Sequence, residues 1–510
     1  MRVLIRVDGD RRIGGGHVMR CLTLADALTN TGHRVEFVMA DASDGMADRV
    51  RSAGFEVHSL PVSTVASANA PPHAAWRRVD PEVDGMTTGK IAARTGADWL
   101  IWDHYGLDAD WVAQVRGKAP DIRVLAIDDL DDRELASDLL LDQTRLAGEL
   151  KFGAAAVLRG PGYALLRPEF ATLRDIALTR RGGPVRRVLV TPGMMDAAGL
   201  APLVLDALKD FDDLEVEVVM SADAQSAEAV RDHQRPGVTL TLDAIDMGER
   251  MVAADLCVGA GGMTSWERCC LGLPTVTVTV ADNQRDAVAG LAEAGAIVPL
   301  SLEAARDPPT LRHAIQEGID RAGDMSRKAA KLCDGRGAGR VVCALEARLR
   351  PLTLNDAEMM MSWRNQPRIV AVTSSQAPVT AEGHIPWLTQ ELTRDDARWC
   401  VWQEGGRDVG ICGASGGPDG WTWSFYLGDE DAPQGAGGRM CGAFLRLLAE
   451  TPGAETIRAT VRHENTTSLR LHRRLGFAEV PSDDPSVLAF ALKTWEVRQR
   501  LRLPQRGPDT

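Results

Sequence analysis

His17 is the side chain of this sequence best suited to moving a proton near neutral pH, because imidazole changes charge there. It lies between Arg6-Val7-Asp8 and Arg20 and follows three consecutive glycines, Gly14, Gly15 and Gly16. Glycines let backbone N–H groups turn toward a ligand, and a helix N-terminus favours an anion. The alternative is a tight turn in which His17 caps or packs. Asp and His residues recur after two later apolar runs, as Asp103-His104-Tyr105 and Asp128-Asp129, where they suit either a site or a helix cap. A second glycine turn, Gly259-Ala260-Gly261-Gly262-Met263, leads into Thr264 and Ser265, whose hydroxyls suit helix capping and phosphate binding. Glu267 fits a ribose diol, or a capping box with Thr264. Asn283-Gln284 follows another buried run and can reach the same cleft. A third turn, Gln434-Gly435-Ala436-Gly437-Gly438-Arg439, opens an apolar helix and reads as a pyrophosphate cradle.

The elements that carry these residues follow from periodicity. From residue 1 to about 165, short apolar runs (Val3–Val7, Val35–Met39, Glu56–Leu60, Trp99–Trp102, Val124–Ile127, Leu139–Leu141) alternate with helical patterns. Such alternation predicts a parallel sheet covered by helices, with ligands at the carboxyl ends of the strands. Pro61–Pro81, rich in Ala, Ser and Pro, reads as an excursion loop. A similar unit runs from about Val185 to Leu300, after Gly182-Gly183-Pro184 as a hinge, so a cleft is expected between two α/β halves. Seven of the 12 tryptophans fall after Arg348, where a domain of different composition begins. The expected boundaries are 1–180, 181–347 and 348–498, with 499–510 as a tail.

The 510 residues exceed one ordinary domain, and a hydrophobic share of 45% with 25% charged residues is that of a globular protein. A net charge of −13 argues against nucleic acid or an anionic membrane as main partner. The sequence opens on a strand, without the apolar core of a signal peptide, and has no bilayer-length apolar run. Nine cysteines without a CxxC pair read as small buried residues of a reduced, cytoplasmic protein, with no metal site.

Residues 348–495 resemble the GCN5-related N-acetyltransferase superfamily in the Gln434–Arg439 turn, the Asn465/Ser468 pair and the closing Leu471-His472-Arg473-Arg474-Leu475-Gly476-Phe477. The resemblance implies acetyl-CoA, bound by Gln434, Gly435, Gly437, Gly438, Arg439 and Asn465. His472 stands where many members carry a tyrosine general acid; it is a candidate acid toward the departing thiolate, or a packing residue. Trp363-Arg364-Asn365 and Trp423-Ser424-Phe425-Tyr426 resemble the subgroup acetylating an amino group on a nucleotide-linked sugar in pseudaminic acid synthesis.

The preceding residues resemble the UDP-2,4-diacetamido-2,4,6-trideoxy-β-L-altropyranose hydrolases of the same pathway. The match lies in Arg6-x-Asp8, Gly14-x-Gly16-His17-x-x-Arg20, Asp103-His104-Tyr105, Asp128-Asp129, Tyr163-x-x-x-Arg167-Pro168, Gly261–Glu267 and Asn283-Gln284. It implies two Rossmann-like halves in a glycosyltransferase-B arrangement, before an α+β acetyltransferase domain. His17 is then the base for water attack at the anomeric carbon, with Asp8 or Asp103 orienting it or the water. Arg6, Gly14, Gly16, Arg20 and Tyr105 would meet the substrate, while Gly261, Gly262, Thr264, Ser265, Glu267, Asn283 and Gln284 hold UDP. The chain reads as bifunctional, acetylating the 4-amino group of a UDP-sugar and hydrolysing the diacetamido product. Partners are then a UDP-linked amino sugar and acetyl-CoA, with a homodimer left open. One departure is Thr191-Pro192-Gly193-Met194-Met195-Asp196, where the family usually has a glycine-rich turn. The rival readings are a UDP-sugar-dependent glycosyltransferase fused to an acetyltransferase, and a nucleotide-sugar-binding module with a decayed hydrolase site.

Overall fold

The computed structural model describes the chain except residues 10–12, 14, 41–44, 63–72, 147, 149, 153–155, 234–235, 374–376 and 504–510. Its first sheet contains β1 (Arg2–Val7), β2 (Arg34–Ala40), β3 (Glu56–Leu60), β4 (Trp99–Asp103), β5 (Arg123–Ile127), β6 (Leu139–Asp142) and β7 (Ala156–Arg159). All pair in parallel, in the order β3-β2-β1-β4-β5-β6-β7. Successive strand residues point to opposite faces, so Val3, Ile5 and Val7 enter one core and Leu4 the other. The helix Gly16–Asn30 covers the first face with Val18, Cys21, Leu24, Ala25 and Leu28.

The second sheet repeats the plan with β8 (Arg187–Thr191), β9 (Glu215–Met220), β10 (Val238–Leu242), β11 (Leu256–Ala260), β12 (Thr275–Thr279) and β13 (Ile297–Ser301). Its order is β10-β9-β8-β11-β12-β13, again parallel. Strand order reverses between β1 and β4 and between β8 and β11, which is where crevices open in doubly wound sheets.

The expected boundaries at 180 and 347 follow the sheets but not the helices. The helix Pro168–Arg180 docks on the second half, where Phe170 and Ala177 pack with Leu189, Met251 and Trp266. The helix Gly337–Glu346 returns to the first half and buries Val341, Val342 and Leu345 beside Val3 and Leu28. The chain therefore crosses between halves near Ala164 and again near Arg336, not at Gly182-Gly183-Pro184. These crossings touch. A Cβ on Gly337 would lie 2.2 Å from the Ala164 carbonyl oxygen and 2.5 Å from the Tyr163 carbonyl carbon. Exchange of one helix across the two doubly wound sheets completes the glycosyltransferase-B arrangement.

The third sheet holds β14 (Arg348–Pro351), β15 (Ala397–Glu404), β16 (Arg407–Gly417), β17 (Gly420–Leu427), β18 (Thr456–Arg462), β19 (Ala478–Val480) and β20 (Val487–Lys493). The order is β14-β15-β16-β17-β18-β20-β19. Every pair is antiparallel except β17 with β18, which are parallel and matched only at Trp421–Ile457 and Thr422–Arg458. Beyond those pairs the strands part into a wedge. The helix Ala436–Ala449 joins them and buries Met440, Phe444, Leu445 and Leu448 on the sheet.

This domain rests on the first half. Arg446 ion-pairs with Asp138, and the Tyr163 hydroxyl donates to the Gln434 carbonyl at 3.0 Å. The expected tail from 499 is partly packed, since the helix Thr494–Arg500 continues into Leu501, which is buried in the third core. No helix of the described residues is long and apolar enough to cross a membrane.

Gly337→Ala is expected to destabilise the protein by ~1–3 kcal/mol, as overpacking of a close backbone approach does. A thermal-unfolding midpoint equal to that of the parent protein would show that the crossings can separate.

Candidate active sites

At the reversal point of the first sheet, the loop after β1 leads into the Gly16–Asn30 helix, and β4 ends at Asp103. His17 Nδ1 lies 2.5 Å from Asp103 Oδ1. Arg20, one turn further along the helix, grips the same carboxylate with Nε at 2.6 Å and Nη2 at 2.7 Å. Its Nη1 donates to Asp129 Oδ2 at 2.6 Å, and the Tyr105 hydroxyl donates to that oxygen at 3.0 Å. Burial pushes the Asp103 carboxyl up, but Arg20 and then His17 outweigh it and hold it well below the usual carboxylate range. An ionised Asp103 keeps the imidazole proton on Nδ1 and leaves the Nε2 lone pair facing outward. That is the arrangement of a general base.

His17 sits in an aromatic cup. The Tyr105 ring meets it edge-on at 4.7 Å and the Trp76 ring at 5.7 Å, while Trp76 stacks on Tyr105 at 5.3 Å. His73 packs against both Trp76 and Tyr105. Two buried polar atoms around this cup, Asp129 Oδ1 and His73 Nδ1, have no hydrogen-bond partner among the described residues. Unmet buried groups in a cleft are what a polar substrate satisfies. Among the described residues, nothing lies within 4 Å of a Cβ built on Gly16. Gly14 lies outside the described residues.

Arg6 and Asp8 do not join this group. Arg6 is 1% exposed and its guanidinium is shared between Asp8 and Asp84 at 2.6–3.2 Å. Asp8 also accepts from the Ala40 amide at 2.8 Å and faces His104 Nε2 at 3.5 Å. Burial opposes its charge, but Arg6 and then His104 keep it well below the carboxylate range. The expectation that Asp8 orients His17 therefore passes to Asp103, and Arg6 binds neighbouring carboxylates instead of a ligand. Arg20 is likewise taken up by two carboxylates.

In the second half, Gly259–Gly262 closes β11 beside the end of β8. A Cβ on Gly259 would lie 2.3 Å from Thr191 Oγ1, so the turn needs glycine there. Ser265 is buried and accepts from Arg268 Nη2 at 2.8 Å, and Gln284 Oε1 accepts from the Val280 amide at 3.0 Å. Both brace the turn from behind. Gly262, Thr264 and Glu267 are partly accessible, and Asn283 is exposed. The capping box between Thr264 and Glu267 does not form: the helix Thr264–Cys270 starts at Met263 without a side-chain cap. Glu267 instead lies 3.7 Å from Arg167, and burial raises its pKa against the pull of Arg167 and Arg268. Arg268 is 1% exposed, has no carboxylate within ion-pair distance among the described residues, and donates to the Ala260 carbonyl at 2.7 Å directly under the glycine turn. Gln143, just past β6, donates to Met263 Sδ at 3.1 Å, which brings this turn to the carboxyl ends of the first sheet. Met194 and Met195 are 70% and 41% exposed at the end of β8.

In the third domain, Gly435 adopts φ 78° at the start of the Ala436–Ala449 helix. The amides of Gly435 and Gly437 have no partner among the described residues, which fits an anion there. Arg439 is buried against Glu404, and its Nη1 donates to the Gln434 carbonyl at 3.0 Å, so it braces the turn from within. Asn465 caps the helix Thr466–Arg474 by accepting from the Ser468 amide at 3.1 Å. His472 is 1% exposed, donates from Nδ1 to the Ser468 carbonyl at 2.8 Å and accepts the Trp423 indole N–H on Nε2 at 3.1 Å. Burial lowers its pKa. Both ring nitrogens are spent, so His472 has no proton to give a thiolate and packs the core. A residue not singled out in the sequence is His384, buried beside Trp387 with Nε2 unpartnered among the described residues. Burial and Arg364 lower its pKa, keeping it neutral.

Among the described residues, one group has metal-ligand spacing: Glu36, Glu56 and His58. Arg34 ion-pairs with both glutamates, and the cluster lies at the amino ends of the strands, away from His17.

The acetyltransferase (GNAT) domain family matches residues 347–478. That domain implies acetyl-CoA binding, and the Gly435–Gly438 turn and the β17–β18 wedge suit it. The spore coat polysaccharide biosynthesis protein SpsG of Bacillus subtilis is 24% identical over 263 residues, 49% of this chain and 76% of that protein. An uncharacterized protein of Methanocaldococcus jannaschii is 22% identical over 431 residues, 79% of this chain and 80% of its own length. A match of that extent runs from the first two sheets into the acetyltransferase domain. Among solved structures, Acinetobacter baumannii MurG is 15% identical, covering 67% of this chain and 98% of its own, with a TM-score of 0.49.

Asp142, at the end of β6, yields a pH test. Burial and then Asp129 raise its pKa to about 6. The unfolded chain releases this proton near 3.9, so the folded state binds the extra proton between the two values. Stability therefore falls as pH rises through that window. Asp142→Asn is expected to add up to ~2 kcal/mol at pH 7 and nothing below about pH 4. Denaturation midpoints at both pH values check this; an equal effect at both would sink it.

Proposed function

We propose that the first two sheets hydrolyse UDP-2,4-diacetamido-2,4,6-trideoxy-β-L-altropyranose to the free sugar and UDP. Before that step, the third domain N-acetylates the 4-amino group of the precursor UDP-sugar with acetyl-CoA. The observation that carries the first part is the buried Arg20–Asp103–His17 chain, which fixes an imidazole as a base inside an aromatic cup. The motif resemblance supports the substrate, and the name of the Bacillus relative fits a chain that handles sugars for a surface polysaccharide.

In this reading water is the weak partner and needs the base. His17 Nε2 takes a proton from water as its oxygen bonds to the anomeric carbon. The C–O bond to UDP breaks, and its electron pair leaves on the diphosphate. Asp103 stabilises the imidazolium that results. The Gly261 amide is already paired with the Val278 carbonyl, so the Gly262 backbone and Thr264, with Arg268 buried beneath the turn, receive the diphosphate charge. Glu267 and Asn283 are the accessible groups for the nucleoside. In the acetyltransferase the amine attacks the thioester carbonyl and loses its proton, the C–S bond breaks, and CoA leaves as a thiolate that is then protonated. The neutral imidazole of His384 in the same domain is the candidate acceptor of the amine's proton.

With the diacetamido UDP-sugar and no acceptor, the protein is expected to release UDP. In heavy-oxygen water the label should enter the sugar. His17→Asn should slow release on the order of 10²–10⁴-fold, and Asp103→Asn by a similar factor through the wrong tautomer. A need for an added acceptor would make the first two sheets a glycosyltransferase. Tight UDP-sugar binding without turnover would leave only a binding module. With acetyl-CoA and the 4-amino precursor, the product should gain one acetyl group; its absence removes the second half of the reading.

A further inference from the structure

We infer that the 3′-phosphoadenosine end of acetyl-CoA lies in the cavity between the acetyltransferase domain and the first half, so that two domains build one acetyl-donor site. The inference rests on the acetyltransferase reading above. The cavity has a volume of about 410 Å³, within the range that holds a nucleotide. Gly442, Arg474 and Arg500 line it from the acetyltransferase, and Ser137, Lys151 and Phe152 from the first half.

Three observations point to a phosphate-bearing occupant. First, Arg474 and Arg500 have no carboxylate within ion-pair distance among the described residues, and Lys151 adds a third cation. Burial lowers the pKa of both arginines, and Arg159 of β7 lowers that of Arg474 further. Glu134, which also lines the cavity, lies 3.7 Å from Arg502, so Arg474 and Arg500 are left for an anion that accepts several N–H bonds. Second, Ser137 is 2% exposed, yet its hydroxyl has no partner among the described residues. A phosphate or ribose oxygen would supply one. Third, Arg474 reaches from the cavity to the glycine turn. A Cβ on Gly438 would lie 2.6 Å from Arg474 Nη2, and Gly442 follows one turn along the same helix. The pantetheine arm takes the wedge between β17 and β18, so the nucleoside end leaves the turn on the other side, where Arg474 leads. The Phe152 ring, with Lys151 Nζ 4.8 Å from its centre, offers the adenine an apolar face.

The test is equilibrium binding of CoA and dephospho-CoA to the full chain by calorimetry. Dephospho-CoA, which lacks the 3′-phosphate, should bind at least ~10-fold more weakly, the loss of one charge-assisted contact set. Lys151→Gln, outside the acetyltransferase domain, should weaken CoA several-fold and leave dephospho-CoA unchanged. Arg500→Gln should do the same, and adenosine 3′,5′-bisphosphate should compete with CoA. Equal binding of CoA and dephospho-CoA, or an unaltered ratio in Lys151→Gln, overturns the inference while the acetyltransferase reading stands. No binding of either compound overturns both.

Discussion

Asp103 is a charge taken wholly out of water, and it is stable there because Arg20 and His17 meet both of its oxygens. Burying an ion costs several kcal/mol unless geometry and hydrogen bonds offset it. The compensation ties the end of β4 to the first turn of the Gly16–Asn30 helix. On the opposite face of β1, Arg6 does the same between Asp8 and Asp84. The reversal point of the sheet is thus clamped from both sides, and its crevice cannot relax without exposing unpaired charge. The groups that hold the fold also set the imidazole of His17, so its orientation is fixed by the folded chain itself.

Much of this is legible in the sequence, for identifiable reasons. The parallel strands show as apolar runs because both faces are covered, and His17 and Asp103 stand out as polar residues directly after such runs. Their contact is not legible, since it joins residues 86 positions apart. The arginines mislead in one consistent way. Arg6, Arg20 and Arg439 suggest ligand contacts, whereas each is buried against a carboxylate supplied by a distant or unremarkable position, such as Asp84 or Glu404. His472 misleads because the residues that use up its nitrogens, Trp423 and Ser468, are ordinary in sequence. His73 and Trp76 lie in a stretch whose composition reads as a plain excursion, yet Trp76 packs on His17 and His73 packs on Trp76. β7 escapes notice because four residues carry no period.

The helices do not respect the sheets. Pro168–Arg180 and Gly337–Glu346 each pack on the half that the chain is leaving for or returning to, so the halves are locked by exchange instead of by a broad contact. The acetyltransferase begins directly after the returning helix and docks beside β7, through Arg446 and Asp138. Joining the domains this way places the diphosphate turn of the third domain against the first. A shared polypeptide then does more than keep the domains at equal abundance.

Tyr163 stands on the first crossing, beside Gly337 of the second, and its hydroxyl holds the Gln434 carbonyl. In mechanical terms the crossings are a fulcrum, and the tyrosine is a short arm fixed to it. A tilt of one half against the other cannot leave that arm still. A movement at the crossings would be passed to the Gln434–Gly438 turn, and by reciprocity a ligand held on that turn would bear on the crossings.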